Sequence, residues 1–164
     1  MLALRQRQRE DRPALWRPDQ ANKLLGRSLP AFALPGLKGQ PGLASTDVVA
    51  AGQAILLNFF ASWCWPCQQE APALLRLSRQ GLPIWGIAYQ DKPDDTVAFL
   101  RQHGDPYRRI ACDLNGAAGS ACGIVGVPES FLVDRSGIVR WHWAGGLSED
   151  VVRLYIDPLL RAGV

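Results

Sequence analysis

The sequence predicts an α/β fold in which a central mixed β-sheet is flanked by helices. Short apolar runs, typical of buried strands, alternate with segments whose apolar residues recur at helical spacing. Such alternation favours parallel strands that are joined by covering helices. Near the C-terminal end, two strand-like runs flank the turn "RSG" (135–137), which predicts an antiparallel hairpin at one edge of the sheet.

The predicted elements follow in the order β–α–β–α–β, then a hairpin, then a helix. Strands are expected at 54–60, 82–89, 107–112, 130–134 and 138–145, where apolar, β-branched and aromatic residues are concentrated. Helices are expected at 67–78, from residue 94 or 95 to about 102, around 117–122 and at 148–160. Ser148 is a suitable N-cap for the last helix, because its hydroxyl can accept from a free N–H group of the first turn.

The charge distribution divides the chain into two parts. Residues 1–27 carry seven basic and three acidic side chains and are predicted to be a polar, Arg-rich leader or linker, whereas residues 28–164 are close to neutral and form the domain. A solvated terminus is the simplest interpretation, although anionic lipid or nucleic acid would also attract it. We expect no nucleic-acid partner, because no basic patch interleaved with aromatic residues is present. The Pro- and Gly-rich stretch 28–42 predicts an extended arm with turns.

The sequence has neither a run of about 18 apolar residues nor the apolar core of a signal peptide. Two interpretations are therefore open. The protein is cytosolic, or the segment that targeted it is missing from this chain.

The pair Cys64 and Cys67 in "SWCWPCQQE" is the strongest chemical signal in the sequence. A CxxC pair between a buried strand and a helix of a βαβ pattern is typical of a redox-active dithiol. Free N–H groups and the dipole at a helix N-terminus favour the thiolate, which is the attacking form of a thiol. We therefore expect Cys64 to be the exposed nucleophile and Cys67 to be the shielded thiol that resolves a mixed disulfide.

A zinc site is the main alternative interpretation of this pair. Structural zinc normally takes four ligands, often from two pairs of Cys or His at short spacing. Cys112 and Cys122 are ten residues apart, and neither His103 nor His142 shows ligand spacing. We expect no metal and no cofactor beyond the redox-active disulfide. Cys112 and Cys122 are interpreted as small buried hydrophobic residues, although a second disulfide between them is open.

Five stretches together resemble the thioredoxin superfamily and, more closely, the cytochrome c maturation thiol:disulfide oxidoreductases called CcmG or DsbE. They are "LLNFFASWCWPCQQEAP" (56–72), "GRSLPAFALPGLKG" (26–39), "GIAYQDKPDDTVAFLRQHGDPYRRI" (86–110), "GIVGVPESFLVD" (123–134) and "IVRWHWAGGLS" (138–148). The resemblance covers most of residues 26–160 and implies a thioredoxin-like fold. The chain departs from the family pattern at Trp65, Val125 and Ser130.

The resemblance implies a protein-disulfide reductase of the bacterial periplasm. Its partners would be apocytochrome c or a cytochrome c maturation thiol protein, whose haem-attachment cysteines it keeps reduced, and a membrane electron donor that recharges it. It would be tethered to the inner membrane by an N-terminal anchor that is not present in this chain. We expect a monomer.

The resemblance also implies which residues assist the dithiol. The Val127–Pro128 peptide bond is expected to be cis and to face the cysteines. Ordinary thioredoxins carry a buried Asp in the strand before the motif, where this chain has Asn58. Glu70, three residues after Cys67 on the same helical face, is the candidate for accepting the proton of Cys67.

Glu129 follows Pro128 and would lie beside the dithiol if that loop packs there. Buried carboxylates have raised pKa values and suit proton transfer near neutral pH, although a solvated acid is the alternative for both Glu70 and Glu129. His142 alternates with two tryptophans and is expected to face solvent, without a chemical role. The groove that receives the partner is expected to be bordered by Trp63, Trp65, Pro66 and Val127, with simple packing as the alternative for Trp63.

Three other functions stay open. A related tethered reductase that serves copper-site assembly would use the same mechanism, although "VPES" with Glu129 favours the cytochrome c type. A thiol peroxidase would need Thr or Ser three residues before its reactive Cys, and here Cys64 lies three residues before Cys67. A non-enzymatic metal-binding module would contain zinc that is lost when Cys64 is replaced.

Overall fold

The computed structural model describes residues 22–164, so most of the predicted leader lies outside the described residues. The strands are β1 Ala33–Leu34, β2 Leu43–Ala44, β3 Ile55–Phe60, β4 Ile84–Tyr89, β5 Arg109–Asp113, β6 Glu129–Val133 and β7 Val139–Ala144. The α-helices are α1 Ser45–Ala50, α2 Trp65–Arg79, α3 Pro93–His103, α4 Ala117–Ala121, α5 Glu149–Val151 and α6 Asp157–Arg161. A π-helical segment, Val152–Ile156, joins α5 to α6 into one C-terminal helix.

Five strands form the central sheet in the order β5-β4-β3-β6-β7. β3 pairs in parallel with β4, and β4 in parallel with β5. β6 is antiparallel to both β3 and β7, so the C-terminal hairpin closes one edge of the sheet. The predicted mixed sheet with a parallel part and an antiparallel hairpin is therefore confirmed.

The residues of β3 point alternately to two apolar layers, because side chains of a strand alternate between faces. Leu56 and Phe60 point to the same face. Leu56 packs there beneath α2 and the C-terminal helix, and Phe60 packs in the cluster that contains the dithiol and α3. Leu57 and Phe59 point to the opposite face, which is covered by the N-terminal segment and α1. The continuous burial of β3 explains why its sequence shows an apolar run rather than alternation.

The sequence does not predict α1 or the small antiparallel pair β1–β2. α1 has six residues, too few for an apolar repeat to be visible, and it begins where the Asp47 carboxylate accepts from the N–H of Ala44 at 2.8 Å. The Ser148 N-cap is confirmed, since its hydroxyl accepts from the N–H of Val151. Within residues 22–164, no helix combines the length and apolar character needed to cross a bilayer.

Residues 22–27, the end of the predicted leader, pack against the domain. Leu24 is buried in the same apolar layer as Phe59. The amide of Asn22 donates to the carbonyl of Cys122 at 2.8 Å, and the N–H of Gly26 donates to the carbonyl of Val139 at 2.8 Å. These bonds fasten the segment across the sheet face that α1 also covers.

Candidate active site

Cys64 and Cys67 form a disulfide at the start of α2, with their Cα atoms 5.3 Å apart. Cys64 is the N-cap, and its Sγ accepts from the N–H of Cys67 at 3.2 Å. That N–H is one of the groups that a helix leaves free in its first turn, so it favours negative charge on the sulfur of Cys64 after reduction. Pro66 lies in the first turn, where its missing N–H costs no hydrogen bond.

The two cysteines are buried in one apolar cluster with Phe60 and Phe99. Cys64 is 4% exposed and Cys67 2% exposed, so the expectation of an exposed Cys64 is wrong for the disulfide form. Trp63 and Trp65 on either side are 61% and 66% exposed. The indole N–H of Trp63 donates to the carbonyl of Gln90 at 3.2 Å, which fixes its orientation.

The Val127–Pro128 peptide bond is cis, as the resemblance implies. The carbonyl oxygen of Val127 lies 3.5 Å from the Sγ of Cys64. Residues 123–128, called here the cis-proline loop, therefore reach the dithiol through Val127. Val127 is half-buried and packs against the same apolar layer as the two cysteines.

Glu70 is buried on the sheet face that carries α2, which excludes the alternative of a solvated acid. Its Oε1 accepts from the amide of Asn58 at 3.0 Å, and its Oε2 accepts from the N–H of Leu147 at 3.0 Å. Burial raises the pKa of Glu70 to about 7, although both hydrogen bonds oppose the rise. A carboxyl group with this pKa can take up or release a proton near neutral pH.

Asn58 connects Glu70 to two further side chains. The hydroxyl of Tyr107 donates to Oδ1 of Asn58 at 2.7 Å, and the Asn58 amide also donates to the hydroxyl of Ser130 at 3.0 Å. Burial, followed by the charges of Glu70 and Asp105, raises the pKa of Tyr107 well above its usual value. The hydroxyl therefore stays protonated and holds Asn58 with its amide turned toward Glu70.

Glu129 is also buried, but on the opposite face of the sheet from Glu70. It is the first residue of β6, and its side chain points to the layer that contains Phe59 and Phe131. Its Oε1 accepts from the N–H of Val125 at 2.7 Å, and its Oε2 lies 2.6 Å from Nε2 of His142. The alternative of a solvated loop acid is therefore excluded.

His142 does not face solvent as the sequence suggested. Alternation places it correctly on the face opposite Trp141 and Trp143, but its side chain is only 8% exposed. Its ring packs on Phe131 with centroids 4.7 Å apart. Residues of the cis-proline loop and of the N-terminal segment line a cavity beside it, and a strand pattern alone cannot show such neighbours.

Asp91 is a further residue of the site that sequence reasoning did not single out by itself. Its carboxylate accepts from the N–H and the hydroxyl of Ser62, at 2.9 and 2.7 Å, and from the hydroxyl of Thr96 at 2.7 Å. These bonds tie the residues just before Cys64 to the start of α3. The available signal was its place in the Tyr89–Asp91 segment, which carries part of the family resemblance.

Cys112 and Cys122 are buried free thiols and do not form a second disulfide. Burial, followed by the charge of Asp91, raises the pKa of Cys112, and burial with the charge of Asp113 raises that of Cys122 to about 12. Within residues 22–164, no three His, Cys, Asp or Glu side chains are grouped so that they could hold a metal ion.

Comparison with known proteins places this site among thiol:disulfide interchange proteins. Residues 25–142 match the model of the AhpC/TSA family. The chain is 40% identical over 137 residues to the thiol:disulfide interchange protein HelX of Rhodobacter capsulatus, which covers 84% of this chain and 77% of HelX. It is 36% identical over 136 residues to the thiol:disulfide interchange protein DsbE of Escherichia coli K12, which covers 83% of this chain and 74% of DsbE.

Solved structures agree with this placement. The crystal structure of a Chlorobium tepidum protein assigned as a thiol:disulfide interchange protein DsbE superposes with a TM-score of 0.68 at 30% identity. The match covers 85% of this chain and 98% of that protein. The predicted thioredoxin-like fold is thereby confirmed.

Proposed function

We propose that this chain, which belongs to the AhpC/TSA family and is a thiol:disulfide oxidoreductase of the DsbE and HelX kind, acts in cytochrome c maturation. Its reaction there would be the reduction of disulfides in partner proteins. The observation that supports the chemistry is the Cys64–Cys67 pair at the N-terminus of α2, with the buried carboxyl group of Glu70 on the same helix. We propose apocytochrome c or its thiol chaperone as the partner, on the strength of the sequence resemblance.

In the first step, the thiolate of Cys64 attacks one sulfur of the partner disulfide. The new bond joins Cys64 to the partner, the partner S–S bond breaks, and the other partner sulfur leaves as a thiolate that takes up a proton. The N–H of Cys67 supports the negative charge on Cys64 before the attack.

In the second step, Cys67 attacks the sulfur of Cys64. The Cys64–Cys67 disulfide forms, the mixed disulfide breaks, and the second partner sulfur leaves as a thiolate, so that two electrons pass to the partner in total. Cys67 must first lose its proton, and Glu70, with a pKa of about 7, is the group that we assign as acceptor. A membrane electron donor then returns the pair to the dithiol, with no cofactor other than the disulfide itself.

The partner is expected to lie between the two exposed tryptophans and the cis-proline loop. Trp63, Trp65 and Pro66 form one border, and Val127 forms the other. Pro128 supports this groove by holding the Val127 carbonyl over Cys64. We place the protein in the periplasm, tethered to the inner membrane by an N-terminal anchor, because the resemblance implies that arrangement.

Trapping of mixed disulfides tests the reaction and the roles of the two cysteines. With an oxidised peptide that contains two cysteines separated by two residues, Cys67→Ser should accumulate a covalent adduct, whereas Cys64→Ser should form none. Cys112→Ser is the matched control, because Cys112 is buried outside the disulfide, and it should turn over like the wild type. Full turnover by Cys67→Ser would contradict the assigned roles.

The direction of electron flow is tested by equilibrium titration in thiol/disulfide buffers, read by tryptophan fluorescence. A potential of about −200 to −270 mV supports a reductase, and a value near about −120 mV would identify a disulfide donor instead. To separate the cytochrome c role from copper-site assembly, Cys67→Ser is incubated in parallel with oxidised apocytochrome c and with an oxidised copper-site apoprotein. Preferential adduct formation with the first supports the proposal.

A further inference from the structure

We propose that His142 is a positioning residue for disulfide exchange: it holds Glu129 against Val125 and thereby fixes the cis-proline loop over the dithiol. The proposal rests on the exchange reaction described above. It assigns to His142 and Glu129 a role in placing the loop rather than in transferring protons to the cysteines.

The pair forms across the C-terminal hairpin. Glu129 is opposite Ala144, and Phe131 is opposite His142, so Glu129 and His142 are diagonal neighbours on one face of the β6–β7 ladder. Their side chains are 2% and 8% exposed, with Oε2 and Nε2 2.6 Å apart. A carboxylate buried to this degree needs a hydrogen-bond partner, and the imidazole of His142 is the described partner of Oε2.

The second oxygen of Glu129 reaches the loop. Oε1 accepts from the N–H of Val125 at 2.7 Å. The residue Val125 is 92% exposed, so its own packing contributes little to fixing the backbone at this point. The main-chain bond to Glu129 is therefore the described hydrogen bond at Val125 itself, and the preceding residue, Ile124, is held separately by the bond from its N–H to the carbonyl of Gly119 at 3.1 Å.

The far end of the loop is held by main-chain contacts. The carbonyl of Pro128 accepts from the N–H of Gly145 at 2.9 Å, at the end of β7. Val127 lies between this bond and the bond to Val125, and its carbonyl is 3.5 Å from the Sγ of Cys64. Loosening the Val125 end therefore allows the Val127 carbonyl to move relative to the nucleophile.

Few charged side chains lie near the Glu129–His142 pair. A cavity of about 380 Å³ lies beside it, lined by Asn22, Lys23, Gly123, Val125, Glu129, His142 and Ala144. Lys23 is the other charged side chain among these lining residues. In the apolar layer behind, Cys122 has a pKa of about 12 and stays neutral. Asp113 lies near Cys122, and its carboxylate is bonded to the N–H groups of Ala118 and Gly119 rather than turned to the pair.

Without the imidazole, Oε2 of the buried Glu129 carboxylate loses its described partner. A buried polar atom without a partner is unfavourable, so the carboxylate should shift toward another donor or toward water. The bond between Glu129 and Val125 then weakens, and the cis-proline loop is held less firmly. A replacement for His142 that keeps a hydrogen-bond donor should therefore restore the loop, whereas one that only fills the space should not.

The direct test is hydrogen exchange at the Val125 amide in the oxidised protein, corrected for intrinsic exchange. His142→Phe keeps an aromatic ring but has no donor for Glu129, whereas His142→Gln keeps a side-chain N–H donor. His103→Gln is the matched control, because His103 packs on Phe99 of α3 instead. We expect about tenfold faster Val125 exchange in His142→Phe, the loss of roughly one hydrogen bond, exchange close to that of the wild type in His142→Gln, and no change in His103→Gln.

The activity readout is the rate of insulin disulfide reduction. His142→Phe should reduce insulin more slowly than the wild type, and His142→Gln should restore the rate. A lower melting temperature of His142→Phe with unchanged Val125 exchange and an unchanged rate would overturn the proposal.

Amide exchange also separates this proposal from the proposed function. If the wild type reduced no disulfide, the reductase function would fail, but Val125 exchange would still decide whether His142 restrains the loop. If His142→Phe does not fold, His142→Ala decides: faster Val125 exchange that added imidazole slows again supports the proposal, and exchange at the wild-type rate refutes it.

Discussion

Glu70→Gln should abolish a large part of the pH dependence of stability of the oxidised protein. Burial raises the pKa of Glu70 to about 7 in the folded state, against an ordinary value of 4.5. Between these values the folded protein binds the proton that the unfolded chain has released, so stability must fall as the pH rises. The contribution is fully present below pH 4.5 and is lost as the pH rises through about 7.

The magnitude follows from the difference between the two pKa values. One pKa unit corresponds to about 1.4 kcal/mol, so the free energy of unfolding should fall by roughly 2 to 3 kcal/mol between pH 5 and pH 8 through Glu70 alone. Glutamine cannot ionise, and this slope should disappear in the variant. Its amide would face two donors, Asn58 and the N–H of Leu147, which adds a destabilisation that is independent of pH.

The assay is urea unfolding at several pH values, followed by tryptophan fluorescence. The oxidised form is used because the cysteines of a disulfide do not titrate. Glu149→Gln is the matched control, since the Glu149 side chain is 60% exposed and should leave the slope unchanged. If the stabilities of wild type and Glu70→Gln changed in parallel between pH 5 and pH 8, Glu70 would have an ordinary pKa, and its assignment as proton acceptor would lose its physical basis.

Three further outcomes are expected. Asp91→Asn weakens the charged hydrogen bonds to Ser62 and should cost about 2 kcal/mol of stability by urea unfolding, together with a slower insulin reduction; unchanged values of both would remove Asp91 from the site. Tyr107→Phe leaves a buried acceptor unpaired and should cost about 1 to 3 kcal/mol in the same assay, whereas a neutral result would mean that water replaces the hydroxyl. In the reduced protein, iodoacetamide at pH 8 should leave Cys112 and Cys122 unmodified until urea is added, because both thiols are buried and only about one Cys122 in ten thousand is a thiolate at a pKa of about 12. If mass spectrometry of the natively alkylated protein shows either residue modified, the burial of that residue is contradicted.

Much of the fold could be predicted from the sequence because its signals are local. The apolar runs of the central strands are consequences of burial on both faces, and the cysteine motif marks the junction of β3 and α2. α1 could not be predicted, because it is too short for a repeat and begins with a side-chain bond from Asp47 to the backbone. The end of the leader could not be placed either, because Leu24 has apolar character but no local pattern that indicates its contact with the sheet.

The site divides in the same way. Cys64, Cys67 and the cis bond before Pro128 are carried by short motifs, and the structure confirms the disulfide and the cis bond. The contacts of Asp91 and His142 have no such local signal. Asp91 binds Ser62, which lies 29 residues earlier, and His142 contacts Glu129, whose other oxygen binds Val125 of the cis-proline loop. The alternation in β7 predicts the correct face of the sheet for His142 but not its burial, because alternation contains no information about what covers a face.

The central sheet separates the two buried glutamates of the site. Glu70 belongs to the polar network beneath α2, whereas Glu129 belongs to the pair beneath the cis-proline loop, and the described contacts include no side chain that both carboxyl groups share. Changes at distant sites without common partners usually have additive effects. Proton supply to the dithiol and the placement of its partner groove are therefore open to independent adjustment. An engineer, or selection, could alter the pH optimum through one face of the sheet and the choice of partner through the other.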